Sequence, residues 1–460
     1  MTVDPFASAS DAAAAVRSAT MSPLELLDAC LSRIDERDPA INAVIWRDDD
    51  AAREQARRAT QAMRQADDLP PFHGVPILIK DLTPVAGWPT TYGSRGASAT
   101  PATTSAPVVE ALRRAGFVLA GRTNTSEFGT LPVAENNRYG LTRNPRDTSR
   151  TAGGSSGGAA AAVAAGMVPI AHGNDGGGSI RVPAACTGLV GLKPARGRVP
   201  SRVRPWEGTS VEGVLTTDVR DAAAVLDVIS GPDPGAWHNA PAPAQPFAQE
   251  AGSSPRQLRV RVSYAAAFGV PVDPQCRAAA RRAADALADA GHDVVDADIE
   301  LIRWEAISAF LHLTAAGLGT IAGIDWDSVE PHVRVVYERA RDTNSLRYTA
   351  ILQDLELYTR RLVAAWGTSF DVLLTPSTAI PAPPAGEILS AAHARPSDAS
   401  LALMQLTAFT TAANLTGLPA ISLPVRSDGL PVGVMLTAGP WDEATLLRLA
   451  AQLEGLLRQG

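Results

Sequence analysis

Short apolar strands alternate with helices along most of this 460-residue chain, and that alternation restricts the folds it can adopt. The run GVPILIKD (74–81) is typical of a buried strand, residues 106–115 of a helix closed by Gly116, and FVLAGRTN of the next strand. A second such unit contains LRVRVSY, a helix over 273–290 and HDVVDADI. Since crossover helices cover the faces of a sheet, the sequence predicts an α/β fold. Its central sheet is expected to be twisted, mixed and mostly parallel, with helices on both faces.

The chain shows no internal repeat and is predicted to form a single domain over residues 1–460. The core motif of that domain spans 74–195. A stretch rich in Pro, Ala and Ser, from about 231 to 257, indicates a surface connection. Residues from about 230 to 370 are predicted to form a helical lobe of the same domain.

Composition excludes several functional classes. The formal net charge of −7 argues against a nucleic-acid-binding surface. No apolar run reaches the roughly 18 residues of a membrane span, and the N-terminus lacks the basic and apolar segments of a secretory signal. The three cysteines lie far apart and show no metal-ligand spacing. We therefore expect a cytoplasmic protein without a metal site or a membrane partner.

Lysine is nearly absent from the chain. Of the 41 basic residues only Lys80 and Lys193 are lysine, and the others are arginine. A buried lysine can lose its proton, whereas an arginine effectively cannot. Lys80 ends an apolar strand, where burial lowers a lysine pKa toward neutrality, so it is a candidate base.

A stretch of glycine and serine, TAGGSSGG (151–158), precedes an Ala-rich helix predicted at 158–166 and a strand predicted at 167–172. It has neither the lysine of a phosphate loop nor the spacing of a dinucleotide fingerprint. It matches the nucleophile elbow G-x-S-x-G twice, centred on Ser155 and on Ser156. An elbow of the α/β-hydrolase type also requires a later histidine, and no setting singles one out. We interpret these histidines as structural or surface residues: His172, His238, His292, His312, His332 and His393.

A third serine follows in GNDGGGSIR, where Ser179 stands behind three consecutive glycines, 24 positions after the first serine of GGSSGG. The backbone amides of Gly176, Gly177, Gly178 and Ser179 can turn inward together, because glycine tolerates any φ angle. Successive inward amides form an anion nest, which is the geometry that an oxyanion hole requires. A serine in such a nest is a candidate acyl acceptor, with Lys80 as its candidate base.

The segment from Gly153 to Ala184 resembles the amidase signature family of serine hydrolases at every defining position. The resemblance extends to GVPILIKDL upstream and to NLTGLPAISLPV and GLPVGVML downstream, and so covers nearly the whole chain. It implies the amidase-signature fold and a Ser–cisSer–Lys catalytic unit that needs no cofactor. Carried over by motif, Ser179 is the nucleophile, Ser155 is the bridging serine after a cis peptide bond, and Lys80 is the base.

The same resemblance assigns supporting roles. Ser156 is expected to support the site through hydrogen bonds, and Asp175 and Arg181 are expected to pair and brace the glycine loop. Lys193 falls in a structural segment of the family. Gly176 departs from the Thr, Ser or Ile that many members carry, which makes the motif most similar to stand-alone bacterial amidases and nylon-oligomer hydrolase-like members.

The resemblance implies hydrolysis of carbon–nitrogen bonds in small-molecule amides, and also of aryl esters or carbamates, by a monomer or homodimer. One alternative is the glutamine-hydrolysing component of an amidotransferase complex, and another is a binding protein that retained the scaffold. Substrate-contacting loops are expected at 128–135, 202–212 and 300–345. Four aromatic residues are candidates for an acyl pocket as well as for the core: Trp206, Trp304, Trp326 and Tyr337.

Overall fold

The computed structural model describes residues 6–63, 65, 68–203, 205–299, 301–425 and 429–459. Eleven of the strands in these residues form one large sheet, and two pairs of very short strands lie outside it. The strands are β1 (Val44–Trp46), β2 (Pro76–Lys80), β3 (Val118–Thr123), β4 (Glu135–Asn136), β5 (Gly140–Leu141), β6 (Arg143–Asn144), β7 (Asp147–Thr151), β8 (Ala171–Asp175), β9 (Val190–Lys193), β10 (Val211–Thr216), β11 (Arg259–Val262), β12 (Asp293–Asp296), β13 (Val372–Pro376), β14 (Ala420–Val425) and β15 (Val432–Ala438).

Helices surround the sheet, together with short 3-10 turns at Glu127–Gly129, Pro205–Gly208 and Ala267–Gly269. The helices are α1 (Ala9–Arg17), α2 (Pro23–Ile41), α3 (Asp49–Ala62), α4 (Pro107–Arg114), α5 (Gly157–Ala164), α6 (Arg181–Thr187), α7 (Val219–Ile229), α8 (Phe247–Ala251), α9 (Pro274–Asp289), α10 (Trp304–Gly319), α11 (Pro331–Arg341), α12 (Ser345–Val363), α13 (Glu387–Ala394), α14 (Leu401–Thr407), α15 (Thr411–Thr416) and α16 (Glu443–Gln459).

The strand order of the large sheet is β1-β3-β2-β8-β10-β9-β14-β15-β13-β11-β12. Parallel pairing occurs in two groups, β3-β2-β8 and β13-β11-β12, whereas the six other neighbouring pairs are antiparallel. The predicted mixed α/β sheet is therefore confirmed, but parallel pairs are not the majority. The connection from β14 to β15 is too short for a crossover helix, so these central strands pair antiparallel.

Helices cover both faces of the sheet. Alternate side chains of β2 point to opposite faces, since Ile77 and Ile79 pack in one apolar cluster and Leu78 packs in another. The first cluster includes residues of α1, α4, α7, α9 and α16, and the second includes residues of α2, α3 and α5. Leu373 of β13 packs in a third cluster with α10 and α15.

The segment from about 230 to 370 contains α8–α12, but its strands β11 and β12 extend the large sheet. The division into one domain with a helical lobe stays a prediction. Within the described ranges, no helix has the length and apolar character needed to cross a bilayer.

Candidate active site

The predicted base and nucleophile lie at one edge of the sheet. Lys80 is the last residue of β2, and Ser179 follows β8 by four residues. These two strands are parallel neighbours, with Leu78 opposite Ala171, so their carboxyl ends meet at the same edge. Ser155 lies between β7 and α5, next to the cis peptide bond Gly154–Ser155 that the resemblance predicts.

The three side chains form a continuous hydrogen-bonded chain. Lys80 Nζ donates to Ser155 Oγ at 2.8 Å, and Ser155 Oγ donates to Ser179 Oγ at 2.9 Å. Lys80 and Ser155 are buried, whereas Ser179 is half-buried and lines a cavity. The structure therefore brings together all three residues that the sequence assigns to catalysis. It also places the terminal oxygen where a small molecule can reach it.

Burial lowers the pKa of Lys80 to about 7, because removing the ammonium from water penalises its charged form. The negative charges of Glu212 and Asp175 act in the opposite direction and keep the pKa from falling further. Near neutral pH a substantial fraction of Lys80 is therefore the free amine, which can accept a proton from Ser155.

The second lysine has a different neighbourhood. Burial also lowers the pKa of Lys193 to about 7, so titration alone does not distinguish the two. Lys193 ends β9, which β10 and β8 separate from β2, and its Nζ donates to the carbonyl of Pro194 at 2.8 Å. Only Lys80 has a described hydrogen bond to a serine of the site.

Asp175 and Arg181 form the bidentate pair that the sequence predicts. Arg181 Nη2 and Nε donate to the two carboxylate oxygens at 2.8 and 3.0 Å, and both side chains are fully buried. Burial would raise the pKa of Asp175, but the charge and hydrogen bonds of Arg181 outweigh it and hold that pKa well below its usual range. Asn414 Nδ2 adds a third side-chain donor at 2.8 Å. The pair thus fixes both ends of the glycine loop.

The predicted oxyanion hole needs one correction. The amide of Gly178 donates to Asp175 Oδ1 at 2.8 Å and is not available to a substrate. The amides of Gly176, Gly177 and Ser179 have no acceptor among the described residues. The physical reason is that the Asp175 carboxylate, which holds the glycine loop in position, accepts a hydrogen bond from the Gly178 amide.

Two further residues complete the site. Ser156 Oγ donates to the carbonyl of Asn174 at 3.1 Å, and its amide donates to the carbonyl of Ser179, consistent with the expected supporting role. Sequence reasoning missed Asn174, whose Oδ1 accepts from Lys80 Nζ at 2.7 Å. Its place next to Asp175 in GNDGGGS was the available signal. Asn414 of α15 was also missed, because it is 239 residues from Asp175 in sequence.

A cavity of about 790 Å³ opens at Ser155 and Ser179. All three predicted substrate loops contribute to its lining, and of the four candidate aromatic residues Trp206 does so. Trp304 is exposed, and Trp326 stacks on Tyr337 with ring centroids 3.8 Å apart. Most of the lining is apolar, with polar groups near the serines. Residues that contribute to it include Leu82, Tyr92, Phe128, Trp206, Glu212, Leu313, Leu318 and Tyr348.

Trp206 stands between two glycines. A Cβ atom at Gly176 would lie 2.4 Å from the indole, and one at Gly317 would also lie 2.4 Å from it. Phe310 contacts the same ring edge-on, with centroids 6.0 Å apart. The absence of a side chain at Gly176 therefore leaves room for this aromatic wall.

Gly176→Thr is expected to displace Trp206 and to lower kcat/KM by roughly 10- to 100-fold, because the aromatic wall of the cavity would shift relative to Ser179. Trp206→Ala in the same chain removes the clash and should restore part of that loss. The measurement is a double-mutant cycle in kcat/KM on one amide substrate. Independent, additive losses would contradict this packing account.

The Amidase family model matches residues 25–447 of the sequence. The chain belongs to the amidase family. It is 38% identical to the 6-aminohexanoate-cyclic-dimer hydrolase of Paenarthrobacter ureafaciens over 485 aligned positions, which cover 99% of this chain and 96% of that protein. A solved structure of 6-aminohexanoate cyclic dimer hydrolase complexed with substrate superposes with a TM-score of 0.91 at 37% identity, covering 99% of this chain and 98% of that one.

The amidotransferase alternative has weaker support. The solved structure of a glutamyl-tRNA(Gln) amidotransferase component from Thermotoga maritima superposes with a TM-score of 0.74 at 28% identity, covering 93% of this chain and 90% of that one. The predicted family and enzyme class are confirmed: the protein is an amidase, a hydrolase that acts on carbon–nitrogen bonds of amides.

Proposed function

We propose that this amidase hydrolyses small, largely apolar amides through an acyl-enzyme on Ser179, with Ser155 as proton relay and Lys80 as base. The observation that carries the proposal is the unbroken chain of hydrogen bonds from Lys80 Nζ through Ser155 Oγ to Ser179 Oγ. Ser179 is the member of this chain that is partly exposed in the cavity, so it is the oxygen that a substrate carbonyl can approach.

In the first half-reaction the hydroxyl hydrogens of Ser155 and Ser179 turn toward Lys80, so that its neutral amine takes the proton of Ser155 as Ser155 takes that of Ser179. Ser179 Oγ forms a bond to the carbonyl carbon, and the amides of Gly176, Gly177 and Ser179 supply donors for the negative oxygen. The proton returns through Ser155 to the leaving nitrogen as the carbon–nitrogen bond breaks. Water, activated through the same relay, then attacks the ester and releases the acid.

Asp175 and Arg181 are proposed to hold the glycine loop in position without contacting the substrate. Their ion pair is buried, and Asp175 also accepts from the amides of Gly178 and Ile180 at 2.8 and 3.1 Å. Preorganised amides do not have to reorient as charge develops, which is the main source of oxyanion stabilisation.

The cavity supports the choice of substrate class. Its volume of about 790 Å³ falls in the range of small-molecule sites. Leu82, Phe128, Trp206 and Leu313 give it apolar walls. The relative from Paenarthrobacter is named for hydrolysis of a 6-aminohexanoate cyclic dimer, a compound with aliphatic segments between its amides. We propose aliphatic and aryl amides as substrates, with aryl esters and carbamates as further ones.

The test is turnover by the purified single chain on matched amide, ester and carbamate substrates that share one acyl group. Release of aniline from an apolar anilide without any partner is expected, with glutamine a poor substrate. Trp206→Ala should shift the preference toward bulkier acyl groups. Activity that appears only with glutamine and added amidotransferase components would overturn the proposal, and a chain inactive on every substrate would do the same.

A further inference from the structure

A cluster of two histidines and one carboxylate lies outside the catalytic site. Glu330 precedes α11, His332 lies in the first turn of α11, and His393 lies near the end of α13. One ligand atom from each of the three lies within 4.8 Å of the other two. Glu330 and His332 are buried, with 4% and 5% of their surface exposed, whereas His393 is half-buried.

The hydrogen bonds around His332 favour one tautomer of its ring. Thr130 Oγ1 donates its single hydrogen to the carbonyl of Glu127 at 2.8 Å, so it can only accept from His332 Nε2 at 3.1 Å. Nε2 therefore carries the proton, and Nδ1 presents a lone pair. This buried Nδ1 has no hydrogen-bond partner within the described part of the chain.

The carboxylate faces that lone pair. Glu330 Oε1 accepts from the amide of Asn137 at 2.7 Å, which leaves Oε2 for the cluster. Oε2 lies 3.6 Å from His332 Nδ1 and forms a hydrogen bond with His393 Nε2 at 3.3 Å. A cation between the Glu330 carboxylate and the buried lone pair of His332 Nδ1 would stabilise both groups. Arg95 also acts on Glu330, but it is exposed, so solvent screens its charge.

We propose that Glu330 Oε2, His332 Nδ1 and His393 Nε2 bind one divalent transition-metal ion, with Zn²⁺ as the best fit. Two imidazoles and one carboxylate are a common zinc ligand set, and water supplies the fourth position. The bond from His332 to Thr130 is the outer contact that orients a metal-binding imidazole. The sequence did not predict this site, because Glu330 and His332 are distant in sequence from His393 and no spacing motif links them.

The metal would strengthen the connection between parts of the fold that already meet through packing and through the hydrogen bond of His393 Nε2 with Glu330 Oε2. It joins the start of α11 to α13 and, through Thr130, to the segment of Phe128 and Gly129 that lines the catalytic cavity. None of the three ligands contacts Lys80, Ser155 or Ser179 in the described hydrogen bonds, so the ion takes no part in the proton relay. The inference is thus independent of the acyl-enzyme proposal.

The test compares EDTA-treated full-length protein with and without ZnCl₂. Wild type is expected to bind one Zn²⁺ per chain in calorimetry and to unfold at a higher temperature in its presence. CoCl₂ should produce visible absorption bands characteristic of the bound ion. His393→Gln should weaken Zn²⁺ binding by about tenfold or more and remove most of the thermal shift.

His312→Gln is the matched control, because His312 lies on α10 and bonds only the Ser308 carbonyl in the described contacts. Glu330→Gln is a second ligand variant, and it keeps an acceptor for the Asn137 amide. Circular dichroism of His393→Gln and Glu330→Gln checks that both variants fold. A wild type without a Zn²⁺-dependent thermal shift would overturn the proposal. Equal binding by wild type and His393→Gln would also overturn it, by placing the ion elsewhere.

Discussion

Ser179→Ala is expected to abolish acyl-enzyme formation and to lower kcat/KM by roughly 10⁴- to 10⁶-fold. Ser179 Oγ ends the hydrogen-bonded chain that begins at Lys80, and it is the oxygen of that chain that is not buried. Alanine removes the atom that would bond to the carbonyl carbon, while the oxyanion amides stay in place. The residual rate of the variant would therefore measure the rate enhancement that substrate positioning and the amide donors give without a nucleophile.

Labelling identifies the nucleophile directly. A fluorophosphonate should modify wild type at Ser179, as located by peptide mass spectrometry, and should leave Ser179→Ala unmodified. Ser156→Ala is the control: its hydroxyl donates to the Asn174 carbonyl, so its loss should lower the rate yet leave the label on Ser179. A label on Ser155 or Ser156 in wild type would contradict the assignment.

Local sequence signals predicted many of the elements well. The helix expected at 273–290 is α9, Pro274–Asp289, and Asp273 caps it by accepting from the amide of Gln275 at 2.8 Å. The strand expected at 167–172 is instead β8, Ala171–Asp175. After Ala171 this strand continues with His, Gly, Asn and Asp, so a pattern based on hydrophobicity did not detect it. Two of these polar side chains have specific partners: His172 Nε2 bonds with Glu212, and Asn174 Oδ1 accepts from Lys80.

Strand partners were harder to predict than strands. A period of two residues identifies a strand but not its neighbour, so the antiparallel centre of the sheet was not foreseen. The same limit applies to the site. Motifs placed Lys80, Ser155 and Ser179 because each lies in a short, distinctive segment, and their contacts follow from the sheet edge. Asn414, which bonds Asp175 from a distant helix, had no comparable local signal.

Activity is expected to rise with pH through about 7, because the pKa of Lys80 is lowered to about that value by burial. The protonated form predominates below the pKa and cannot accept the proton of Ser155, whereas the free amine predominates above it. The rising limb of kcat/KM against pH should therefore have its midpoint near 7. Glu212→Gln should move this midpoint to lower pH, since the Glu212 charge raises the pKa of Lys80.

Variants of the two lysines test which amine causes the rise of kcat/KM with pH. Lys80→Arg keeps a positive charge that cannot be lost in this pH range, so we expect a loss of roughly 10³-fold or more at every pH. Lys193→Met removes the other buried amine with a pKa near 7, and the rising limb should stay near 7 in that variant even where the rate falls. Thermal unfolding of both variants controls for misfolding. If the rising limb of kcat/KM disappeared in Lys193→Met and persisted in Lys80→Arg, Lys193 and not Lys80 would be the base. Lys193 Nζ bonds the Pro194 carbonyl and Lys80 Nζ bonds the serine relay, so the geometry favours Lys80.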